Sequence, residues 1–253
     1  MKKIGLTIGY FLLTWILQAQ SNSPEIVAIS REDLAGENLT PAIQAGETDT
    51  SYYQQKAYDG TDFVIYLVAI KNRTNEFQRF PIEEFIYWVD GKAIVEPNDE
   101  QPFTIQAGDY FIQPKGFKGK FNFVSGDEPH LELALVSKKR ADSASVSPMT
   151  KAMIIEPNIL SGSSELHAGE EALIYSGVEL HVNLVRQRER LFADNEKERL
   201  IHLLSGTLTM KSNGVEMKFY PGDFFVIPKG FSGTWKSDSF RALRAIEVMQ
   251  VDE

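Results

Sequence analysis

The feature that most constrains the fold of this chain is an internal repeat. The first copy ends a hydrophobic run at Gly91 and then carries Gly-Asp at 108–109 and Pro-Lys-Gly-Phe at 114–117. The second copy carries the same letters either 114 or 115 residues later. Each copy covers about 100 residues, which is the size of a domain. The repeat therefore predicts two domains of one fold.

Within each copy the apolar residues form short runs rich in Val, Ile, Phe and Tyr. Examples are residues 63–70, 85–89 and 110–113, which are separated by Gly, Asp, Asn and Pro. The first of these runs aligns with residues 178–185 in the second copy, 115 residues later. Since no long stripe with a period of 3.6 residues occurs, the pattern favours an all-β sandwich or barrel in each domain.

The first twenty residues differ from the rest of the chain. Lys2 and Lys3 precede an apolar run at 4–17, and Gln-Ala-Gln follows at 18–20. This is the order of a secretory signal, and the run is shorter than the roughly 20 residues that span a bilayer. We predict a cleaved signal peptide at 1–20, with an uncleaved anchor as the alternative. The mature protein is then expected to be exported to the periplasm and free of the membrane.

The segment between the two copies has the composition of a linker. Residues 137–150 are rich in Ser, Ala, Lys and Arg and show no apolar period, as is typical of a connecting segment. We therefore expect a first domain at 21–136, a linker at 137–150 and a second domain at 151–253.

Two bulk properties exclude classes of function. The formal net charge is −9 at pH 7, so the chain repels phosphate backbones and nucleic acid is not an expected partner. Cysteine is absent, which excludes disulfides, thiolate metal ligands and cysteine nucleophiles.

The repeated letters resemble the motifs of the cupin superfamily. The second cupin motif has Gly, five residues and then Pro-x-Gly, as at 108–116 and 222–230. The first motif ends in Glu, six residues and Gly, as at 84–91. The tail at 228–235 resembles the subfamily named after (S)-ureidoglycine aminohydrolase, and 114–121 is a looser copy of it. The resemblance implies a bicupin with two tandem jelly-roll (double-stranded β-helix) barrels.

Many cupins hold a divalent metal with three His and one Glu, so the resemblance can be tested position by position. The Glu position is Glu84 in the first copy and Arg199 in the second, and the last His is glycine in both, at Gly119 in the first. The His pair of the first copy would fall at 78 and 80, or one residue earlier, where no histidine stands. One carboxylate without imidazole is a poor site for Mn, Fe, Ni or Zn. We therefore expect no cofactor, with such a metal as the alternative.

The barrel register that the resemblance implies supplies candidate site residues. Glu84 and Trp88 would point into the first barrel, opposite Phe121, and Arg199 would face Trp235 in the second. Glu84 is the candidate catalytic residue. The candidate ligand-binding residues are Trp88, Phe121, His181, Asn183, Arg199 and Trp235.

Each of these residues also has a plainer interpretation. Large aromatic residues such as Trp235 fill small barrels, and Arg199 lies in a charged run that water could solvate. His181 and Asn183 share the polar face of a predicted strand, which lines a pocket or faces water. His202 alternates with leucines on the opposite face from Arg199, so we expect it to point away from the pocket.

Three hypotheses for function follow. The first is an exported protein that binds a small polar or carbohydrate-like molecule in a barrel without the usual cupin metal. The second is an enzyme that uses Glu84 as an acid or base on a small nitrogenous (ureide-like) or sugar substrate. The third is an assembly role, in which the outer sheet faces pair two copies of the chain into a homodimer.

Overall fold

A computed structural model of the protein describes residues 23–42, 51–124, 129–148, 153–155 and 167–252. The predicted signal peptide lies outside these residues. No helix in the described part of the chain is long and apolar enough to cross a membrane.

The chain consists almost entirely of strands. In the first half the elements are β1 (Val27–Ile29), α1 (Arg31–Leu34), β2 (Thr40–Pro41), β3 (Tyr52–Asp59), β4 (Phe63–Ile70), β5 (Arg73–Phe77), β6 (Glu84–Asp90), β7 (Lys92–Pro97), β8 (Phe103–Gln106), β9 (Tyr110–Gln113), β10 (Gly119–Phe123) and β11 (His130–Ser137). In the second half they are β12 (Met153–Ile154), β13 (Glu170–Ser176), β14 (Leu180–Gln187), β15 (Glu189–Phe192), β16 (Arg199–Ser205), β17 (Leu208–Ser212), β18 (Val215–Phe219), β19 (Phe224–Ile227), β20 (Gly233–Ser237) and β21 (Leu243–Gln250).

The strands form two barrels, each made of a large and a small antiparallel sheet. In the first barrel the strand orders are β12-β9-β6-β11-β4-β3-β2 and β5-β10-β7-β8. In the second they are β1-β19-β16-β21-β14-β13 and β15-β20-β17-β18. The prediction of an all-β chain with two tandem jelly-roll barrels is confirmed.

Two short strands cross between the barrels. Strand β1, from the N-terminal side of the first barrel, pairs with β19 of the second, Ala28 opposite Phe225. Strand β12, which precedes the second barrel in sequence, pairs with β9 of the first, Met153 opposite Ile112. Each large sheet is thus completed by a strand from outside its own repeat.

The buried apolar residues form three clusters that follow from strand alternation. One fills the first barrel and contains Trp88 and Phe121, and another fills the second and contains Trp235. The third contains Leu67 and Val182 and joins the outer faces of the two large sheets. These outer faces therefore pack against each other within one chain. The assembly hypothesis had expected outer sheet faces to pair two copies of the chain.

Glu83 of the first barrel binds a loop of the second. Its carboxylate accepts hydrogen bonds from the backbone N–H groups of residues 178–180 at 2.7–2.9 Å. It also accepts one from the hydroxyl of Tyr175 at 2.8 Å and one from Ser147. Glu83 is 0% exposed, so these donors supply the bonds that a buried carboxylate requires.

Glu198, 115 residues later, makes the reciprocal contact. Its carboxylate accepts hydrogen bonds from the backbone N–H groups of residues 61–63 at 2.6–3.4 Å and from the hydroxyl of Tyr58 at 3.0 Å. The backbone N–H of Glu198 donates to Asp62 at 2.9 Å, as that of Glu83 donates to Glu179 at 3.1 Å. The interface between the barrels is therefore locally two-fold symmetric.

This symmetry corrects the alignment of the repeats near their first long strand. The structure superposes Phe63–Ile70 on Leu180–Gln187, an offset of 117, whereas the sequence suggested 178–185 at 115. Gly60 and Gly177 show the same offset, and a Cβ at either would lie 2.2 Å from an oxygen of the partner carboxylate. The two offsets differ by two residues, which is the period of a strand, so each side chain keeps its predicted face of the sheet.

Candidate functional site

A cavity of about 430 Å³ opens in the first barrel. Strands β6 and β10 supply inward side chains at every second residue, among them Glu84 and Trp88 from the first and Phe121 from the second. The full lining is Tyr52, Arg73, Thr74, Asn75, Glu76, Phe77, Phe80, Glu84, Ile86, Trp88, Gln113, Phe121, Phe123 and Glu132. The structure thus places three of the predicted site residues in one cavity.

Glu84 is the central titratable group of this cavity. It begins β6 and lies opposite Gln113 of β9, and it is partly buried. No hydrogen bond or ion pair to its carboxylate occurs within the described part of the chain. Burial and the nearby charge of Glu132 together raise the pKa of Glu84 to about 8, and Arg140 opposes the rise. The group is therefore suited to exchange a proton near neutral pH.

This shift predicts a pH-dependent effect of Glu84→Gln on stability. Between pH 4.5, the ordinary pKa, and about pH 8 the folded protein holds a proton on Glu84 that the unfolded chain releases. Because Glu84 ionises only in the unfolded chain within this window, the free energy of unfolding falls as the pH rises through it. Urea unfolding should show the variant gaining stability relative to wild type up to about pH 8 and no further. The exposed Glu76→Gln serves as the control, and a difference independent of pH would contradict the shift.

A second carboxylate lines the same cavity, four residues further along the sheet. Glu132 of β11 pairs with Trp88 across the sheet, and its Oε2 lies 3.2 Å from Nε2 of His130. The other nitrogen, Nδ1, lies 2.9 Å from the carbonyl oxygen of Ile70 and must carry a proton to donate there. The pair lies directly behind the ring of Trp88, which stacks on His130 with ring centroids 4.7 Å apart.

Further polar groups complete the lining. Burial, together with the charges of Glu132 and Glu84, raises the pKa of Tyr52 to about 12. The Nε2 of Gln113 and the Nε1 of Trp88 are buried without a hydrogen-bond partner in the described structure. Buried donors of this kind usually find a partner in protein, water or ligand, so the wall of the cavity offers unused hydrogen-bonding capacity.

The cavity residues do not fit the usual cupin metal. Gln78 is exposed, and Phe80 is buried among apolar side chains. A Cβ at Gly119 would lie 2.4 Å from the carbonyl oxygen of Glu96 and 2.8 Å from Phe117, so a larger residue has no room there. Within the described ranges, no three residues of the His, Asp and Glu types are close enough to bind one ion. Glu84 thus lacks the imidazole partners that such a site needs.

The interior of the second barrel is closed by a buried ion network. Glu247 is 0% exposed and lies 2.5 Å from Nη1 of Arg199 and 3.0 Å from Nη1 of Arg190. Arg199 also donates to Asn195 at 3.0 Å. Trp235 is 1% exposed and packs in the core, and it also lines an open surface depression. Arg199 therefore uses its contacts on the protein itself, whereas the buried Nε1 of Trp235 has no hydrogen-bond partner among the described residues.

The histidines of the second barrel occupy two different surfaces. His181 and Asn183 lie on the barrel side of β14, since Leu180, Val182 and Leu184 on the other face join the cluster between the barrels. Burial lowers the pKa of His181, whose Nδ1 has no partner in the described region. Both residues belong to the second barrel rather than to the cavity, and a ligand-binding role for them stays a prediction.

His202 points away from the barrel interior, as its alternation predicts. Its ring stacks on Phe224 at 3.8 Å and its Nδ1 contacts the hydroxyl of Tyr110, across the interface between the barrels. Burial lowers the pKa of His202 to about 3. The imidazole is therefore neutral at physiological pH and acts as part of the interface.

The sequence did not indicate Tyr52, Gln113 or Glu132 as cavity residues. A signal for Glu132 exists, because the run 130–135 alternates between His, Glu and Ala on one face and leucines on the other. A polar face on a strand this buried would have pointed into the barrel. Gln113 and Tyr52 carry no comparable signal, because their strands lack a regular alternation.

Comparison with known proteins agrees with this fold. A family model described as an EutQ-like cupin domain matches residues 70–126 and 191–242, which is one match in each repeat. No curated protein sequence matches the chain. The match and the shared architecture support the cupin superfamily.

Several solved structures share the two-barrel architecture at low sequence identity. Protein Ylba from E. coli is 16% identical with a TM-score of 0.56, covering 86% of this chain and 89% of its own. A protein of unknown function from Pseudomonas syringae is 14% identical with a TM-score of 0.59, covering 89% and 99%. A mutant salicylate 1,2-dioxygenase from Pseudoaminobacter salicylatoxidans, in complex with gentisate, is 12% identical with a TM-score of 0.57, covering 89% and 81%. At these identities the likeness describes the fold alone.

Proposed function

We propose that this cupin-superfamily protein binds a small polar or carbohydrate-like molecule in its first barrel, without the usual cupin metal. The observation that carries the proposal is the 430 Å³ cavity, where the carboxylate of Glu84 meets an aromatic wall. Ligand sites commonly combine an apolar lining with a few convergent polar groups. The Nε2 of Gln113, which has no partner among the described residues, supplies one more such group.

The contrast between the barrels supports a single site per chain. The counterpart of Glu84 in the second barrel is Arg199, which is bound by the buried Glu247. The counterpart of Asn75 is Arg190, which closes the same network. The second barrel therefore serves as a support that holds the first through the shared interface.

An enzymatic role is the second candidate, and one observation favours it. Glu84 has a pKa raised to about 8 by burial, and a carboxyl group of this kind can donate or accept a proton at neutral pH. A small nitrogenous, ureide-like molecule or a sugar would be the substrate. The tail at 228–235 also leads us to propose kinship with the (S)-ureidoglycine aminohydrolase-type subfamily, with the metal centre replaced by protein groups.

We further propose that the protein acts outside the cytoplasm. The proposal rests on the charged, apolar and small-residue order of residues 1–20. A mature protein released by cleavage would meet its small-molecule ligand in the periplasm. A homodimer stays compatible with this proposal, whereas the acidic charge disfavours nucleic acid as a partner.

A ligand screen with a blocked cavity tests the proposed function. Sugars, uronic acids, ureides and amines are added to the protein, and a binder at 100 times its Kd should stabilise the folded state by about 2.7 kcal/mol, which raises Tm. The variant Asn75→Phe fills the cavity from β5, where Asn75 lies opposite Phe121. Its Tm should not respond to any ligand that stabilises the wild type.

The matched control is Thr104→Phe, which places the same ring at an exposed position of the same small sheet, outside the cavity lining. This variant should keep the full thermal response. If Asn75→Phe keeps it as well, the ligand binds elsewhere and the proposal fails. Conversion of a bound ligand to product by wild type, but not by Glu84→Gln, would select the enzymatic role.

A further inference from the structure

We propose that the ligand of the first barrel is a small organic cation, with an ammonium, amidinium or guanidinium group held by the carboxylate of Glu84 and an apolar body on the aromatic wall. This inference rests on the proposed function and narrows it to one chemical class. The cavity volume of about 430 Å³ limits the ligand to the size of a small aromatic or short aliphatic amine.

The first argument is the charge arrangement inside the cavity. Glu84 on β6 and Glu132 on the adjacent β11 both line it, and the raised pKa of Tyr52, which is due first to burial, is raised in part by their charges. Two carboxylates in one partly buried space repel when both are charged. A bound cation removes this repulsion, whereas an anion would increase it.

The second argument comes from the other charged groups that face Glu84. Arg73 of β5 also lines the cavity, but its Nε donates to Asn75 at 2.7 Å. Glu76 on the same strand is exposed and lies 3.6 Å from Lys120. Arg140, which follows β11, lowers the pKa of Glu84 only as a minor influence. These groups leave the carboxylate of Glu84 without a cation in direct contact in the described chain.

The third argument is the wall opposite the carboxylates. Phe77, Phe121 and Phe123 contribute rings to the lining, as does the buried Trp88. The ring centroid of Phe121 lies 6.1 Å from those of Phe77 and Phe123, so the three rings form a continuous surface. Aromatic rings attract organic cations electrostatically and also bury an apolar body. The same wall would favour a neutral aromatic molecule only through burial.

The inference has a consequence for pH dependence. Since burial raises the pKa of Glu84 to about 8, the empty cavity holds a proton there at neutral pH. A cation binds the ionised form, so binding must expel this proton. The affinity should therefore rise with pH, by about tenfold from pH 6 to 7 and about fivefold from pH 7 to 8, and then level off.

Three molecules of the same shape test the charge requirement. Benzamidine is cationic, benzamide is neutral and benzoate is anionic, and benzamidine keeps its charge throughout the pH range used. Calorimetric titration of the full-length mature protein should show benzamidine binding at least tenfold more tightly than benzamide, and no binding of benzoate. Titrations in buffers of different ionisation enthalpy should show release of about 0.9 proton at pH 7.

Two charge-neutralising variants complete the experiment. Glu84→Gln should reduce the benzamidine affinity at pH 8 to that of benzamide and abolish both proton release and pH dependence. Glu100→Gln makes the same change in charge at an exposed position of the first barrel outside the cavity lining and should alter affinity less than twofold. An equal loss of benzamidine affinity in both variants would mean that the general negative potential of the protein, rather than Glu84, attracts the cation. That result would overturn the inference.

Failure of the inference can be told apart from failure of the proposed function. If benzamide binds as tightly as benzamidine, or if only sugars and other neutral molecules respond to Asn75→Phe, the cavity is a binding site but not one for cations. If benzamidine binds equally to wild type and Asn75→Phe, its site lies outside the cavity and the inference is wrong. If no compound of either screen binds, both proposals fail.

Discussion

Replacing Glu83 with alanine is expected to lower the free energy of unfolding by about 3–5 kcal/mol. The carboxylate lies between the barrels, where it accepts three backbone N–H groups of residues 178–180 and the hydroxyl of Tyr175. Alanine removes every one of these acceptors at a position that is 0% exposed. Each buried donor left without a partner costs about 1–3 kcal/mol, reduced where water can enter the space. Urea unfolding followed by tryptophan fluorescence measures the loss.

Two control variants separate the hydrogen bonds from the general effect of losing a glutamate. Glu83→Gln keeps the volume but turns one oxygen into an N–H donor that faces backbone donors, so its loss should fall between wild type and alanine. Glu76→Ala removes an exposed carboxylate that contacts Lys120 and Gln78 on the surface, and its effect should stay within about 0.5 kcal/mol. Equal stability of wild type and Glu83→Ala would show that this contact does not hold the barrels together.

The two-fold relation of the interface makes a further demand on the same measurement. Glu198 makes the same bonds to residues 61–63, so Glu198→Ala should cost about as much as Glu83→Ala. When both carboxylates are replaced, the apolar cluster between the sheets has no glutamate anchor at either end. Unfolding of the double variant should then become less cooperative, with the two barrels separating before they unfold.

The fold could be predicted because its information is local and repeated. Turn residues at fixed spacing and period-two runs in both copies indicated two all-β domains, and the resemblance of the turn motifs to cupins implied that each is a jelly-roll barrel. The same alternation put His202 on the outer face, and the structure agrees. The relation between the barrels could not be predicted in this way, because the strand exchange and the contact of Glu83 with residues 178–180 join segments far apart in the sequence.

The candidate site was predicted in part. Glu84, Trp88 and Phe121 lie in one cavity because strand periodicity fixes which side chains point inward. Their use by a ligand stays a prediction. Period alone does not show whether an inward position is open or filled, and Arg199 illustrates this. It is the positional counterpart of Glu84, yet its charge is satisfied by Glu247 from a strand more than forty residues away.

This closed network in the second barrel leads to the other large effect that we expect. Glu247→Ala should destabilise the protein by about 2–4 kcal/mol, because it leaves Arg190 and Arg199 without their buried partner. The lower end allows for the partial exposure of both guanidinium groups, at 21% and 15% of the side chain. Denaturant unfolding at neutral pH measures the loss, which should be far smaller for Glu216→Ala, an exposed carboxylate paired with Lys211.

A triple replacement tests whether the network stabilises the barrel or merely compensates its own charges. Substituting Met for both arginines and Leu for Glu247 removes all three groups while keeping an apolar filling of similar volume. Buried ion networks are often no more stabilising than well-packed apolar residues, so the triple variant should regain most of the loss seen in Glu247→Ala. If it is as unstable as the single variant, the network itself holds the barrel closed. Recovery would instead mean that these charges only compensate one another. The open cavity of the first barrel would then stay the candidate ligand site.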